Sequence, residues 1–283
     1  MTADDFGLHE SVNDAVEQAS RAGSLTAASL MVSAAATADA VRRARTLPNL
    51  RVGLHIVLAD GWSTLDAQLI PIIADPTGRM HGDMFSRGVR FFFYPAARRQ
   101  LEAEIRAQFA AFAHTGLALD HVNVHKHFHL HPTILSILLR VGKEYGMPAM
   151  RVPDERIWFA ARSAGAVQGM TQALLIPWIS SMKFRLRRAG VFHNDQLFGL
   201  SASGAIDEAK MLAILAQLPR GVSEIYLHPA TRSGSVIAPS MSHYRHAEEL
   251  DALLSAPVRA ALEAFALRGG YVDARKAMDV ASV

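Results

Sequence analysis

What most limits the fold of this chain is its alternation of short apolar runs with amphipathic helical stretches. LRVGLHIVL (50–58) is a compact apolar run, the form taken by a strand covered on both faces. LTAASLMV (25–32), AMRV (149–152) and SEIYLH (223–228) read as further strands. Between them, HESVNDAVEQASRAG (9–23) gathers Val12, Ala15, Val16 and Ala19 on one helical face and stops at Gly23. ATADAVRRART (36–46) is another helical stretch, and PAARRQLEAEIRAQFAAFAHTG (95–116) is the clearest amphipathic helix, ended by Gly116. Helices are also predicted from Pro132 to Tyr145 and over 207–218, 245–254 and 257–267, before a closing GYVDA (270–274). Such an order supports parallel strands with crossover helices, hence an α/β sheet or barrel. The 283 residues show no internal repeat and no low-complexity linker, so 1–283 is expected to be a single domain.

Half of the residues are apolar and 19% are charged, an ordinary globular balance that argues against disorder. The absence of cysteine removes disulfide frameworks and thiolate metal sites from consideration. The 29 basic and 26 acidic side chains leave a net charge of +3, and only KFRLRR (183–188) concentrates positive charge, so nucleic acid is not an expected partner. The first residues carry no charged-then-apolar leader, and the cytoplasm is the expected location. From Ser163 to Met182 there are 20 consecutive residues without a charge, long enough to span a bilayer. Gln168, Thr171, Gln172, Pro177, Ser180 and Ser181 make this stretch too polar for a span. A packed helix pair, or an apolar lid or insertion within 155–200, is expected there instead.

HVNVHKHFHLHP (121–132) places five of the 13 histidines at odd positions: His121, His125, His127, His129 and His131. Strand side chains alternate faces, so a strand here has one face rich in imidazole and another largely apolar. Pro132 marks its end, and parallel α/β sheets carry their sites at the carboxyl ends of strands. TADDFG (2–7) offers adjacent carboxylates, Asp4 and Asp5; at a strand end one can hold a metal and the other a water, or the pair can cap the following helix. His55 in VGLHIVL and His228 in EIYLHPA each interrupt an apolar run, where a hydrogen-bonded core histidine is the plain alternative to a ligand. Together, four predicted strands deliver a carboxylate or imidazole near their ends, which core packing has no reason to arrange. An Asp/His/His set suits a divalent metal with open positions for water.

At these four motifs the sequence resembles the YdjC-like carbohydrate deacetylase family, whose pattern is ADDFG, a GLH or GMH strand, an HxDSHHHVH strand and a late HP strand. The resemblance runs in order over nearly the whole chain. It implies an irregular (β/α) barrel of the polysaccharide-deacetylase type, and a metal-dependent N-deacetylase acting on an acetylated amino sugar. By position, it implies Asp5, His55 and His125 as ligands of one divalent ion, Mg²⁺ or Zn²⁺, with Asp4 as general base and His228 as general acid. His127, two residues beyond the ligand on the same strand face, and Arg151 are placed at the substrate.

Two positions depart from the pattern: Asn123 stands where the family has Asp, and Lys126 replaces the middle histidine of its triplet. The family also carries an apolar strand just before ADDFG, so the first strand is expected to be truncated at Met1, leaving Asp4 and Asp5 on an unpaired end. HKHFHLHP, MRVPDE (150–155) and FHNDQLFGL (192–200) resemble a subgroup encoded with hopanoid biosynthesis. That likeness implies a glycolipid substrate and peripheral contact at the inner membrane face through the uncharged segment and its basic flank; a homodimer is a further expectation. Two rivals remain open: a non-catalytic glycolipid- or metal-binding barrel, and an iron-dependent oxygenase, whose short His-x-Asp spacing is absent.

Overall fold

A computed structural model describes residues 1–80, 82–265 and 269–281. Its strands are β1 (Thr2–Phe6), β2 (Ala27–Leu30), β3 (Arg51–Ile56), β4 (Gly61–Trp62), β5 (Arg79–Met80), β6 (Leu119–Val124), β7 (Gln196–Phe198) and β8 (Ser223–Leu227). β4 and β5 form a small antiparallel pair, and the other six make one parallel sheet in the order β6-β3-β2-β1-β8-β7. An extended segment joins the two edges of this sheet. Arg151 N donates to Val122 O of β6 at 3.0 Å, and Leu197 N of β7 donates to Asp154 O at 2.9 Å. The sheet therefore curls into a barrel-like ring, as the α/β alternation led us to expect.

Burial explains the strand sequences. Every residue of β1 and β2 is buried, and β3 exposes only Arg51. Continuous apolar runs are what a sheet wrapped by helices selects. Helices Glu10–Arg21, Thr37–Ala44, Pro95–His114, Pro132–Glu144, Glu208–Leu215, His246–Leu254 and Ala256–Leu262 answer to the predicted stretches. The final residues expected of the last, 266 and 267, lie outside the described residues. GYVDA opens a helix, Tyr271–Ala281. Met84–Phe93, a helix absent from the expectations, precedes Pro95.

Three expectations are corrected here. β1 pairs on both sides, with β2 and β8, so Asp4 and Asp5 stand inside the sheet and not on a free end. Neither carboxylate caps the following helix; that cap is His9, whose side chain accepts from Ser11 N. The histidine segment is not one long strand. β6 ends at Val124, opposite the last residue of β3, Ile56, and with no partner beyond it the chain turns. His125–Leu130 is a 3-10 turn in which Lys126 and His127 take left-handed backbone, φ 56° and 54°. His131 then caps the helix that starts at Pro132, its side chain accepting from Thr133 N. Alternation is lost after Val124, and the histidines are dealt to different neighbours. The uncharged segment is a helix pair, Ile157–Ala164 and Ala166–Arg188. Among the described residues, no helix is long and apolar enough to cross a membrane.

Candidate metal centre and active site

Asp5, His55 and His125 come from the carboxyl ends of β1, β3 and β6. Adjacent residues of a regular strand face opposite ways. Here the register of β1 on β2 shifts between Ala3 and Phe6, and Asp5 takes φ 61°. A non-glycine residue in that region costs about 1–2 kcal/mol. What it achieves is convergence: Asp4 and Asp5 both reach one cluster. Asp5 Oδ1 lies 3.3 Å from His55 Nε2 and 3.3 Å from His125 Nδ1, and the two nitrogens are 3.2 Å apart.

These separations test the fit of a metal. Ligand atoms about 2.1 Å from a common ion, at angles between octahedral and tetrahedral, stand about 3.0–3.4 Å from one another. All three pairs fall in that range. Both Asp5 oxygens are buried and, among the described residues, accept no hydrogen bond, an arrangement that costs several kcal/mol unless a cation answers it. Burial alone would raise the Asp5 carboxyl, yet contacts with His125 and His55 hold it well below its ordinary range. Burial opposes charge on His55 too, but Asp4 and Asp5 together raise it.

Asn123 sets the tautomer of His55. Its Nδ2 donates to Asp4 Oδ1 (3.1 Å) and Ser29 Oγ (2.9 Å), so its Oδ1 accepts from His55 Nδ1 (2.6 Å). His55 Nε2 is thereby left as a lone pair facing Asp5 and His125, the form that binds a cation. An aspartate at 123 could not donate to Asp4, so the departure from the family pattern has a local purpose. Ser29 in turn meets His121, which Asp120 anchors at 2.8 Å. This ring packs so tightly on β3 that a Cβ at Gly53 would lie 2.5 Å from it.

Asp4 has a different setting. Arg151 Nη1 donates to its Oδ2 (2.5 Å) and Nη2 to its Oδ1 (2.9 Å). The same guanidinium donates to Glu224 through Nε (2.9 Å) and Nη2 (2.7 Å), and stacks 4.7 Å over the Tyr226 ring. Arg151 is 0% exposed. Four of its five N–H donors go to two carboxylates, so it fixes the direction of Asp4. Burial would raise the Asp4 carboxyl, but Arg151 and His55 hold it far down, as an ionised acceptor.

His228 follows β8, with Nε2 4.0 Å from Asp5 Oδ2. Its backbone is clamped: its N–H donates to Glu249 (2.6 Å) and its carbonyl accepts from His246 Nδ1 (2.5 Å). Burial lowers its pKa to about 4, against the pull of Asp5 and Asp4, so the imidazole is neutral. His127 does not share a strand face with His125; its left-handed backbone swings it to Tyr226, whose hydroxyl is 3.2 Å from Nε2. Lys126 is drawn the other way, onto Asp60 at 2.7 Å.

Glu224, Tyr226 and Tyr271, whose hydroxyl donates to Glu224, were missed by sequence reasoning. Glu224 had a signal: an acid inside the apolar run SEIYLH, where burial demands a partner.

Known proteins give this geometry a context. The chain is 38% identical to a carbohydrate deacetylase of Brevibacillus brevis over 148 residues, 52% of this chain and 56% of that one. A carbohydrate deacetylase of Oceanobacillus iheyensis is 30% identical over 52% of this chain and 62% of its own. These matches span only a little over half the length of the relatives. A third carbohydrate deacetylase, from Thermoanaerobacter pseudethanolicus, aligns over 88% of this chain and 87% of its own at 22% identity. Among solved structures, a putative cellobiose-phosphate cleavage protein of Enterococcus faecalis shares the fold, with a TM-score of 0.69 at 20% identity over 93% of this chain and 92% of that one. The family described as YdjC-like protein matches residues 1–264, and the chain belongs to it.

Proposed function

We propose that this chain is a metal-dependent hydrolase that removes the N-acetyl group from an acetylated amino sugar. The observation that carries the proposal is the set of 3.2–3.3 Å separations among Asp5 Oδ1, His55 Nε2 and His125 Nδ1, with Asp5 left without a hydrogen-bond donor. Those three side chains would hold one divalent ion, Mg²⁺ or Zn²⁺, which when bound acidifies a water and polarises a carbonyl. Asp4, kept ionised by Arg151, takes a proton from the attacking water as its oxygen bonds to the acetyl carbon. His228 relays that proton: its neutral imidazole accepts it from Asp4 and gives it to the departing sugar nitrogen as the C–N bond breaks. Acetate and a free amine are the products. Asn123 and Arg151 fix the directions of His55 and Asp4. His127, whose Nε2 lies 3.2 Å from the Tyr226 hydroxyl, would meet the sugar.

For the substrate we favour a hopanoid glycolipid met at the inner face of a membrane, with a homodimer as the working assembly. The motifs HKHFHLHP, MRVPDE and FHNDQLFGL support this choice, as do the exposed apolar side chains of the helix pair.

The test is acetate release from an N-acetylglucosamine-bearing lipid by metal-depleted protein given back Mg²⁺ or Zn²⁺. Asp4→Asn should keep its metal and lose on the order of 10²–10⁴-fold in rate. Asp5→Ala should lose metal and turnover together. A folded, metal-loaded protein that releases no acetate, or an Asp4→Asn variant at full rate, would overturn the assignment.

A further inference from the structure

Two stretches of surface differ from the rest of the molecule. The helix Met84–Phe93 turns Phe91 inward, 5.8 Å from Phe128 of the histidine turn. Its outer side leaves Phe85, Val89, Phe92 and Phe93 at 83, 42, 48 and 67% exposure. The helix Ala166–Arg188 buries Gln172, Ile179, Met182 and Leu186. It exposes Val167, Met170, Leu174 and Trp178, spaced as i, i+3, i+7 and i+11 on one helical face. Large aromatic and aliphatic side chains gathered this way mark an interaction surface.

Both helices stand beside the turn that carries His125. The Phe92 ring meets His131 at 6.1 Å. Arg185 donates to Ser136 Oγ at 2.7 Å and to Pro132 O at 3.4 Å, at the start of the helix that follows the turn.

Charge says what covers them. The helices Met84–Phe93 and Ala166–Arg188 hold six basic side chains and no acidic one; Lys183 pairs with Asp154 and Arg87 donates to the Leu58 and Ile73 carbonyls, so Arg90, Arg185, Arg187 and Arg188 carry the charge of the surface. A merely solvated helix face mixes both signs. A second copy of the chain laid on these faces would set cation against cation, which opposes self-association. An anionic lipid surface offers what both features require: phosphate for the arginines and hydrocarbon for the rings.

We propose that these two helices form a docking surface for an anionic phospholipid bilayer, holding the strand-end rim at the headgroup level. They lie in the interface and do not span it, since neither is long and apolar enough to cross. The surface stands on exposure and charge; its link to a lipid-borne sugar rests on the deacetylase reading above.

The experiment is co-sedimentation of the full chain with vesicles of phosphatidylcholine alone or enriched in phosphatidylglycerol. Binding is expected on the enriched vesicles, weak on the neutral ones, and reduced by salt. The double variants Phe85→Ser/Phe93→Ser and Leu174→Ser/Trp178→Ser should each lower partition by on the order of tenfold. Val280→Ser, at an apolar side chain 78% exposed on the last helix, should bind as wild type. Failure to bind, equal binding to both vesicle types, or wild-type binding by the double variants would overturn the proposal. So would a wild-type dimer, in sedimentation velocity, that those variants dissolve. Vesicle binding without acetate release would sink only the deacetylase reading, and acetate release without vesicle binding only this one.

Discussion

Two buried carboxylates one residue apart in β1 live under opposite regimes. Asp4 belongs to a nest that carries its own cation: Arg151 serves Asp4 and Glu224 at once, with Tyr226 beneath the guanidinium. Asp5 belongs to a nest of imidazoles, and among the described residues no arginine or lysine joins it and neither of its oxygens accepts a hydrogen bond. The nearby histidines report the difference. Beside Arg151, burial and the guanidinium lower His127 well below its ordinary value, while burial takes His129 to about 3. Facing Asp5, His55 is raised in spite of burial by Asp4 and Asp5 together, whereas burial lowers His228 to about 4. One nest is electrically complete and repels further protons; the other draws positive charge. A protein that needed only stability would give both carboxylates the first treatment.

Removing the resident cation should have the largest effect. Arg151→Met leaves Asp4 and Glu224 buried together without compensation, and breaking a buried pair from one side costs about 3–5 kcal/mol. Urea unfolding of the metal-free variant should show this loss, and an unchanged midpoint would mean that the arginine is dispensable. Next comes the other nest. A divalent ion at about 100 times its Kd should stabilise the wild type by about 2.7 kcal/mol, because the folded state alone assembles the three ligands. Asp5→Asn should abolish that gain while leaving the metal-free protein as stable as wild type or more so, since an unanswered buried charge is gone. Thermal unfolding with and without Zn²⁺ or Mg²⁺ checks both halves. A metal-free Asp5→Asn protein several kcal/mol weaker than wild type would show that Asp5 already has a partner.

The two nests were not equally legible in the sequence. His55 and His228 declared themselves because an imidazole inside an apolar strand is conspicuous, and ADDFG because adjacent carboxylates are. The parallel α/β core was readable from runs such as LRVGLHIVL, where burial on both faces leaves no polar alternation. Arg151 was visible as a residue but not as a role: its guanidinium is claimed by Asp4 and by Glu224, 147 and 73 positions away, and only the curl of the sheet brings them together. The histidine turn misled for a related reason. Alternation holds only where a neighbouring strand supplies ladder partners, and the sequence does not announce that β3 stops at Ile56. The bulge that turns Asp5 toward Asp4's side carries no glycine to betray it. The helix Met84–Phe93 was hidden by its run of aromatic residues, which are weak helix formers.

The smallest effect sharpens the contrast most directly, because it concerns a proton and not a side chain. His129 Nε2 donates to the Arg151 carbonyl at 3.0 Å, and the ring is fully buried. Burial first, then Arg151 and His55, depress its pKa from 6.5 to about 3, opposed only by that backbone bond. The folded protein therefore keeps His129 neutral at pH values where the unfolded chain binds a proton. Between pH 6.5 and about 3 the unfolded state holds more protons, so stability present at neutral pH is lost progressively as pH falls through that window. From pH 6.5 to pH 5 this one group should cost about 2 kcal/mol. His129→Gln retains a donor for the Arg151 carbonyl but cannot titrate, so its stability should fall less over the same interval, by about that amount. Urea midpoints at pH 7 and pH 5 for the two proteins measure it. Parallel losses would mean that the arginine nest tolerates a second positive charge, and the division between the two carboxylates would lose its electrostatic basis.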